Sequence, residues 1–252
     1  MSLVTTIRDL HRRKARERRG LALAEGIRLV EEMVAAGVPC KGAAVSPALA
    51  VTERGAALRS LLASRGVTVE EVSDGDLAEL AATEHPQGIL AVYQPRIWQL
   101  DDLNPGAGHP LVLLDAVQDP GNVGTIARTA LAFGAAGIIA LPGTVDLTNP
   151  KVVRSSAGAL FRLPSLHGDL DAVLEWCGRN GVELWVTAMD GEAVTQPADA
   201  PVALVLGNEG AGISEPVAGA AIRRVSIPIR AEAESLNVAV AAGIFLNRLG
   251  ST

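Results

Sequence analysis

Nothing in this 252-residue sequence approaches the roughly 20 consecutive apolar residues that a membrane helix needs. The opening stretch, MSLVTTIRDLHRRKARERRG, lacks the apolar core of a secretory signal, so the cytoplasm is the expected location. Cysteine is scarce. Cys40 and Cys177 stand far apart, with no CxxC and no His-rich neighbourhood, which argues against a disulfide framework and leaves no metal site to expect. Both read as buried small apolar residues. Glycines never fall at i, i+2 and i+5, and no GKS or GKT closes a phosphate loop, which disfavours a conventional Rossmann dehydrogenase or P-loop enzyme. Cations are also in deficit, at 22 Lys and Arg against 28 Asp and Glu, so the net charge of −6 argues against nucleic-acid binding through bulk electrostatics.

What remains is 48% hydrophobic, enough for a substantial core in one large domain or two ordinary ones. The charge is unevenly placed. Residues 1–95 carry 12 basic and 12 acidic side chains, leaving 10 basic and 16 acidic for 96–252. The early cations bunch in RRKARERR, residues 12–19, where Glu17 is the single anion. Such a run is either a solvated helical face or an arm that contacts phosphates and makes binding salt-dependent.

Apolar runs alternate with helical periodicity, which predicts α/β layers with largely parallel sheets, in two units. In the first, residues 42–46, 67–72 and 88–93 read as strands, with Ile27, Val30, Met33 and Val34 on one face of a helix between them. Residues 94–110, QPRIWQLDDLNPGAGHP, hold three prolines and two glycines and mark a boundary. Strands of the second unit are expected at 111–115, 137–141, 182–188, 202–207 and 223–229, with an apolar helix over 235–249.

Ligands of open α/β sheets bind beyond the carboxyl ends of strands, so the loops there carry the functional signal. In DAVQDPGNVGTIARTALAFG, residues 119–121 turn the chain, Asn122 is placed to cap a helix, and Arg128 lies about 9 Å further along it. An ion pair of Arg128 with Asp115 or Asp119 is the plain alternative. In LVLGNEGAGIS, Gly207, Gly210 and Gly212 surround Glu209; the acid either complements the following helix N-terminus or belongs to a site. In IPIRAEAESLNVAVAAG, Ser235 or Asn237 offers a side-chain oxygen at a helix start.

Taken together, the three stretches resemble the signature motifs of the SpoU (TrmH) RNA 2′-O-ribose methyltransferases of the SPOUT superfamily, in order and each after an apolar strand. TNPKVVRSSAGALFRLP, residues 148–164, fits the same pattern, and residues 13–37 are similar to the family's small ribosomal-protein-like RNA-binding domain. The resemblance implies an RNA substrate-binding domain at 1–95, a linker at 96–108 and a trefoil-knotted catalytic domain at 109–252. It also implies a homodimer, S-adenosylmethionine as methyl donor, and an RNA substrate, ribosomal RNA ahead of tRNA. Its motif residues fall on Asn122, Arg128, Glu209, Ser235 and Asn237. Its cofactor contacts fall on Thr187, Ala188, Leu206, Gly207, Ile227 and Leu236.

Arg128 would anchor the phosphate beside the reacting ribose and polarise its hydroxyl, since guanidinium stays protonated near neutrality. Glu209 would orient Arg128 or Asn122. RNA contacts are expected from Arg12, Arg13, Arg16, Arg18 and Arg154. The rival readings are a non-catalytic RNA-binding protein of the same fold and an α/β enzyme for another nucleotide ligand.

Overall fold

A computed structural model describes residues 2–230 and 232–250 of the chain. Two compact units emerge, one formed by residues 1–96 with 148–161, the other by residues 97–147 with 162–252.

Unit 1 runs α1 (Leu3–Leu10), α2 (Arg13–Arg19), β1 (Ala22–Glu25), α3 (Ile27–Ala35), β2 (Cys40–Val45), α4 (Glu53–Ser64), β3 (Val69–Glu71), α5 (Asp74–Leu80) and β4 (Ile89–Tyr93). Its sheet has the order β1-β4-β2-β3. Here the expectation of largely parallel pairing fails: β4 is antiparallel to both β1 and β2, and only β2 with β3 is parallel. Every residue of β4 is buried, because it lies inside the sheet with apolar layers on both faces. Leu90 and Val92 join Ile7, Leu10, Leu77 and Leu80 on one side, whereas Ile89, Ala91 and Tyr93 join Val30, Met33, Leu58 and Leu62 on the other. Of the two cysteines, Cys177 is buried and Cys40 only half-buried.

Residues 148–161, placed by the sequence in the second domain, pack in unit 1. They carry α7 (Pro150–Ser155), which lies against β1. Val153 and Phe161 enter the unit 1 core, and the Phe161 ring meets Tyr93 edge to face with centroids 5.2 Å apart. The local pattern of one short apolar-faced helix fits either core, so sequence alone could not assign it.

Unit 2 holds β5 (Leu111–Asp115), α6 (Pro120–Ala132), β6 (Gly137–Ala140), β7 (Ser165–His167), α8 (Leu170–Arg179), β8 (Glu183–Ala193), β9 (Val202–Gly207), α9 (Glu215–Ala220), β10 (Arg223–Ser226) and α10 (Val238–Leu249). All neighbours in the order β10-β8-β9-β5-β6-β7 are parallel. The expected linker is largely built into this unit: Leu103 is buried in its core, and Asp101 accepts a 3.0 Å hydrogen bond from the Trp176 indole. No helix among the described residues is long and apolar enough to cross a membrane.

Candidate active site

Asp115 at the end of β5 stands in register with Gly207 at the end of β9, which brings two of the three signature loops side by side. Asp115 is buried and accepts from the Ser214 N–H at 2.7 Å, so it ties those loops together and is not the counter-ion of Arg128. Asn208, which the sequence did not single out, adds a second tie. Its amide donates to the Ala116 carbonyl at 2.8 Å, and its oxygen accepts from the Gly210 and Ala211 N–H groups at 2.9 Å.

Glu209 faces the first loop rather than the start of α9. Its carboxylate accepts from the Gln118 and Asp119 N–H groups at 3.3 and 3.2 Å and from Asn122 Nδ2 at 3.0 Å. Burial pushes this carboxyl up, but the Asn122 amide and backbone N–H groups together outweigh it, leaving the pKa below its ordinary value. Asn122 in turn accepts from Asn237 Nδ2 at 3.0 Å, and Asn237 Oδ1 caps α10 by accepting from Ala239 and Val240. Thus Glu209, Asn122 and Asn237 form a continuous line through all three loops.

One capping expectation changes, and one of two open alternatives is selected. Asp119, not Asn122, caps α6, accepting from the Asn122 N–H at 2.8 Å. Asn237, rather than Ser235, caps α10. Arg128 is exposed on α6 and makes no hydrogen bond or ion pair among the described residues. Neither the Asp115 or Asp119 pairing nor the Glu209 contact forms.

Beside the line lies a cavity of about 360 Å³. Thr187, Ala188, Leu206, Gly207, Ile227 and Leu236 all border it, together with Glu209 and Ser235. Ile229 and Phe245 extend its apolar wall beyond what the sequence suggested. Thr187 turns its hydroxyl away, donating to the Val205 carbonyl at 3.0 Å.

The glycines have separate reasons. A Cβ on Gly207 would stand 2.5 Å from the Gly212 backbone, so this residue lets the loop close on itself. Gly212 takes a φ of +73°, which favours glycine, while Gly210 meets neither constraint.

A model of the SpoU rRNA methylase family matches residues 109–247, which contain every residue of this cavity and line. The chain belongs to the SpoU rRNA methylase family. A second model, the MRM3-like substrate binding domain, matches residues 2–91. The SpoU chain is 32% identical to the 23S rRNA (guanosine(2553)-2′-O)-methyltransferase RlmP of Bacillus subtilis, covering 96% of this chain and 93% of that one. It superposes on the SpoU methyltransferase AviRb from Streptomyces viridochromogenes, in complex with the cofactor AdoMet, with a TM-score of 0.87 and 30% identity. The match covers 98% of this chain and 96% of AviRb. The AdoMet-bound rRNA methyltransferase from Sinorhizobium meliloti gives 0.85 and 32%, over 98% and 95% of the two chains.

In this SpoU protein several cations of the basic run are paired, although its six cations outnumber the two carboxylates they meet. Arg12, Arg18 and Arg19 converge on Asp9, an acid just outside the run, while Arg13 pairs with Glu17 at 2.7 Å. The Arg19 and Arg12 hydrogen bonds hold the Asp9 carboxyl below its ordinary range. Arg16 must be withdrawn as an RNA contact. It is only 4% exposed and donates to the Leu10 and His11 carbonyls at 2.9 Å and to Thr148 Oγ1 at 3.2 Å.

Proposed function

We propose that this SpoU-family methyltransferase moves the methyl group of S-adenosylmethionine to a ribose 2′-hydroxyl of ribosomal RNA, acting as a cytoplasmic homodimer. The observation that carries the reading is the cavity's position against the Glu209–Asn122–Asn237 line. Its volume lies within the range of small-molecule sites, and its Leu206, Ile227 and Leu236 surfaces suit an adenine. The polar backbone of the Gly207–Gly212 loop supplies edges to read it. Bound there, S-adenosylmethionine supplies an electrophilic methyl group.

The chain's own residues position the acceptor. Arg128, unengaged by any described side chain, is available to a phosphate and to the ribose oxygen beside it. Asn122 and Asn237 are fixed by their mutual bond, so the two loops that carry them need little reorganisation when substrate arrives. Ribosomal RNA is favoured because the Bacillus subtilis relative is named for 23S rRNA; tRNA is the second reading. Leu131 on α6 and Val240 on α10, 38% and 53% exposed, leave an apolar surface that a second subunit would cover. The trefoil knot implied by the three motifs belongs to the same proposal.

The test is methyl transfer from labelled S-adenosylmethionine to unmodified 23S rRNA and to tRNA, with the 2′-O-methyl position mapped and the mass in solution measured. Wild type should label ribosomal RNA as a dimer. Arg128→Ala should keep cofactor affinity and lose turnover by at least about 100-fold. No labelling of either RNA, or equal loss of cofactor affinity in Arg128→Ala, would overturn the reading.

A further inference from the structure

Unit 1 contains a cavity of about 550 Å³ at the start of α3, well away in composition from the apolar pocket above. Its walls include Glu25, Arg28, Arg54, His85, Gln87 and Arg154. Arg54, His85 and Gln87 lie outside every motif, and only Arg154 is singled out by the sequence.

The Arg154 guanidinium is the informative group. Its Nη1 is buried and has no hydrogen-bond partner. The nearest carboxylate, Glu25 Oε2, is 3.7 Å away and already accepts from the Ala82 N–H at 2.9 Å, while Oε1 accepts from the Thr83 hydroxyl. Turning Glu25 onto Arg154 would break those bonds. A buried N–H donor without an acceptor is costly, so the Arg154 guanidinium, one-third exposed to the cavity, has hydrogen-bonding capacity that Glu25 leaves unused.

Other walls support a ligand of mixed character. Arg28 is exposed and makes no hydrogen bond or ion pair among the described residues. Arg54 is held flat by Glu31, whose two oxygens accept from its Nε at 2.9 and 2.7 Å. Gln87 uses its oxygen to accept from the Ile27 N–H, leaving its amide N–H groups as donors. Opposite them, Ala157 sits at a φ of +49°, an unfavourable conformation for a residue with a Cβ. Its neighbour Gly158 approaches α3 so closely that a Cβ there would lie 2.7 Å from Glu32 Cβ. Strain of this kind is commonly kept where a surface must hold its shape for a ligand.

We propose that this cavity holds one unstacked nucleotide of the RNA substrate, with Arg28 on its phosphate and the part-exposed guanidinium of Arg154 on an acceptor of its base. The proposal rests on the reading of the protein as an RNA methyltransferase and adds where the substrate is read. A concave pocket admits a splayed base but not the surface of an A-form helix, and sequence-specific RNA recognition targets such bases. The flat Arg54 guanidinium and the His85 ring are stacking surfaces. Reading of the base is therefore assigned to this cavity, and the run at 12–19 is left to sequence-independent contact with phosphates.

The experiment measures affinity of full-length protein for in vitro transcribed 23S rRNA, KM and kcat for its methylation, and photo-crosslinks to 4-thiouridine placed in that RNA. Arg28→Glu, at an exposed position, and Arg154→Gln should each weaken RNA binding by about tenfold or more. They should raise KM for RNA, leaving S-adenosylmethionine affinity and kcat at saturating RNA unchanged. The surface control Arg12→Ser/Arg13→Ser should change RNA affinity less than about threefold. Crosslinks should join single-stranded nucleotides to the peptides around residues 25–32 or 83–87. Unchanged KM in both arginine variants, with wild-type RNA methylation intact, overturns the pocket while leaving the enzyme activity standing. Crosslinks confined to the 12–19 helix would do the same. Absence of methylation by the wild type would instead remove the activity on which the proposal rests.

Discussion

Asn122 Nδ2 lies 3.0 Å from Glu209 Oε1 while Asn122 Oδ1 accepts from Asn237, so one residue of the first loop locks the second and third. The carboxylate is thereby committed to an amide and two backbone N–H groups, and Arg128 stays free of it.

Glu209→Gln offers one acceptor oxygen where the carboxylate serves three donors, and it turns an N–H toward at least one of them. Turnover should fall by about 10- to 100-fold, on the scale of losing an outer-shell partner. The pH dependence has a definite sign. Because the folded-state pKa is lowered, the charged form's contribution is present above the unfolded value and is lost as pH falls through the folded one, below the ordinary carboxylate range. Calorimetric titration with S-adenosylmethionine should show an acid-side loss of affinity in wild type that the Gln variant lacks. An identical acid profile in the two proteins would mean that another group controls it.

Gly207→Ala should damage the cofactor loop although the change adds a single methyl. That methyl meets Gly212 backbone at 2.5 Å and the Ile213 nitrogen at 2.7 Å, and backbone cannot rotate out of the way as a side chain can. Overpacking of this kind costs about 1–3 kcal/mol. Cofactor affinity and thermal midpoint should both drop. Gly210→Ala is the matched control, since its nearest neighbour would be Asn208 Oδ1 at 3.7 Å. Equal behaviour of the two variants would contradict the assignment.

Arg16→Ser should act on stability. It strips hydrogen bonds from two backbone carbonyls and a threonine, for a loss of roughly 2–4 kcal/mol in urea unfolding. The combined change of Arg12, Arg13 and Arg18 to Ser removes only exposed pairs and should cost less than about 1 kcal/mol. Similar unfolding midpoints for both proteins would show that Arg16 is not a structural anchor.

The parallel sheet of unit 2 was legible because strands such as β5 and β9, covered on both faces, leave unbroken apolar runs followed by glycine or acid. Those runs placed the loops, and the loops placed the residues that border the cavity. Less was readable where the decisive partner is distant in sequence. No local signal separates Arg16 from Arg13 or Arg18, because the acceptors of Arg16 include Thr148. Likewise β1 and β7 are too short, at four and three residues, to show a period against their helical neighbours. The direction of β4 depended on its neighbours in the sheet, which the strand's own composition does not encode.

The visit of residues 148–161 to unit 1 sets a clock on synthesis. Phe161 emerges from the ribosome about 65 residues after Arg96, and at roughly 5–20 residues per second that interval is about 3 to 13 seconds. Throughout it, the nascent N-terminal part has its sheet strands but lacks the Val153 and Phe161 side chains that finish one face. The core face of unit 1 is therefore finished only after residues 97–147, which belong to unit 2, have already been made.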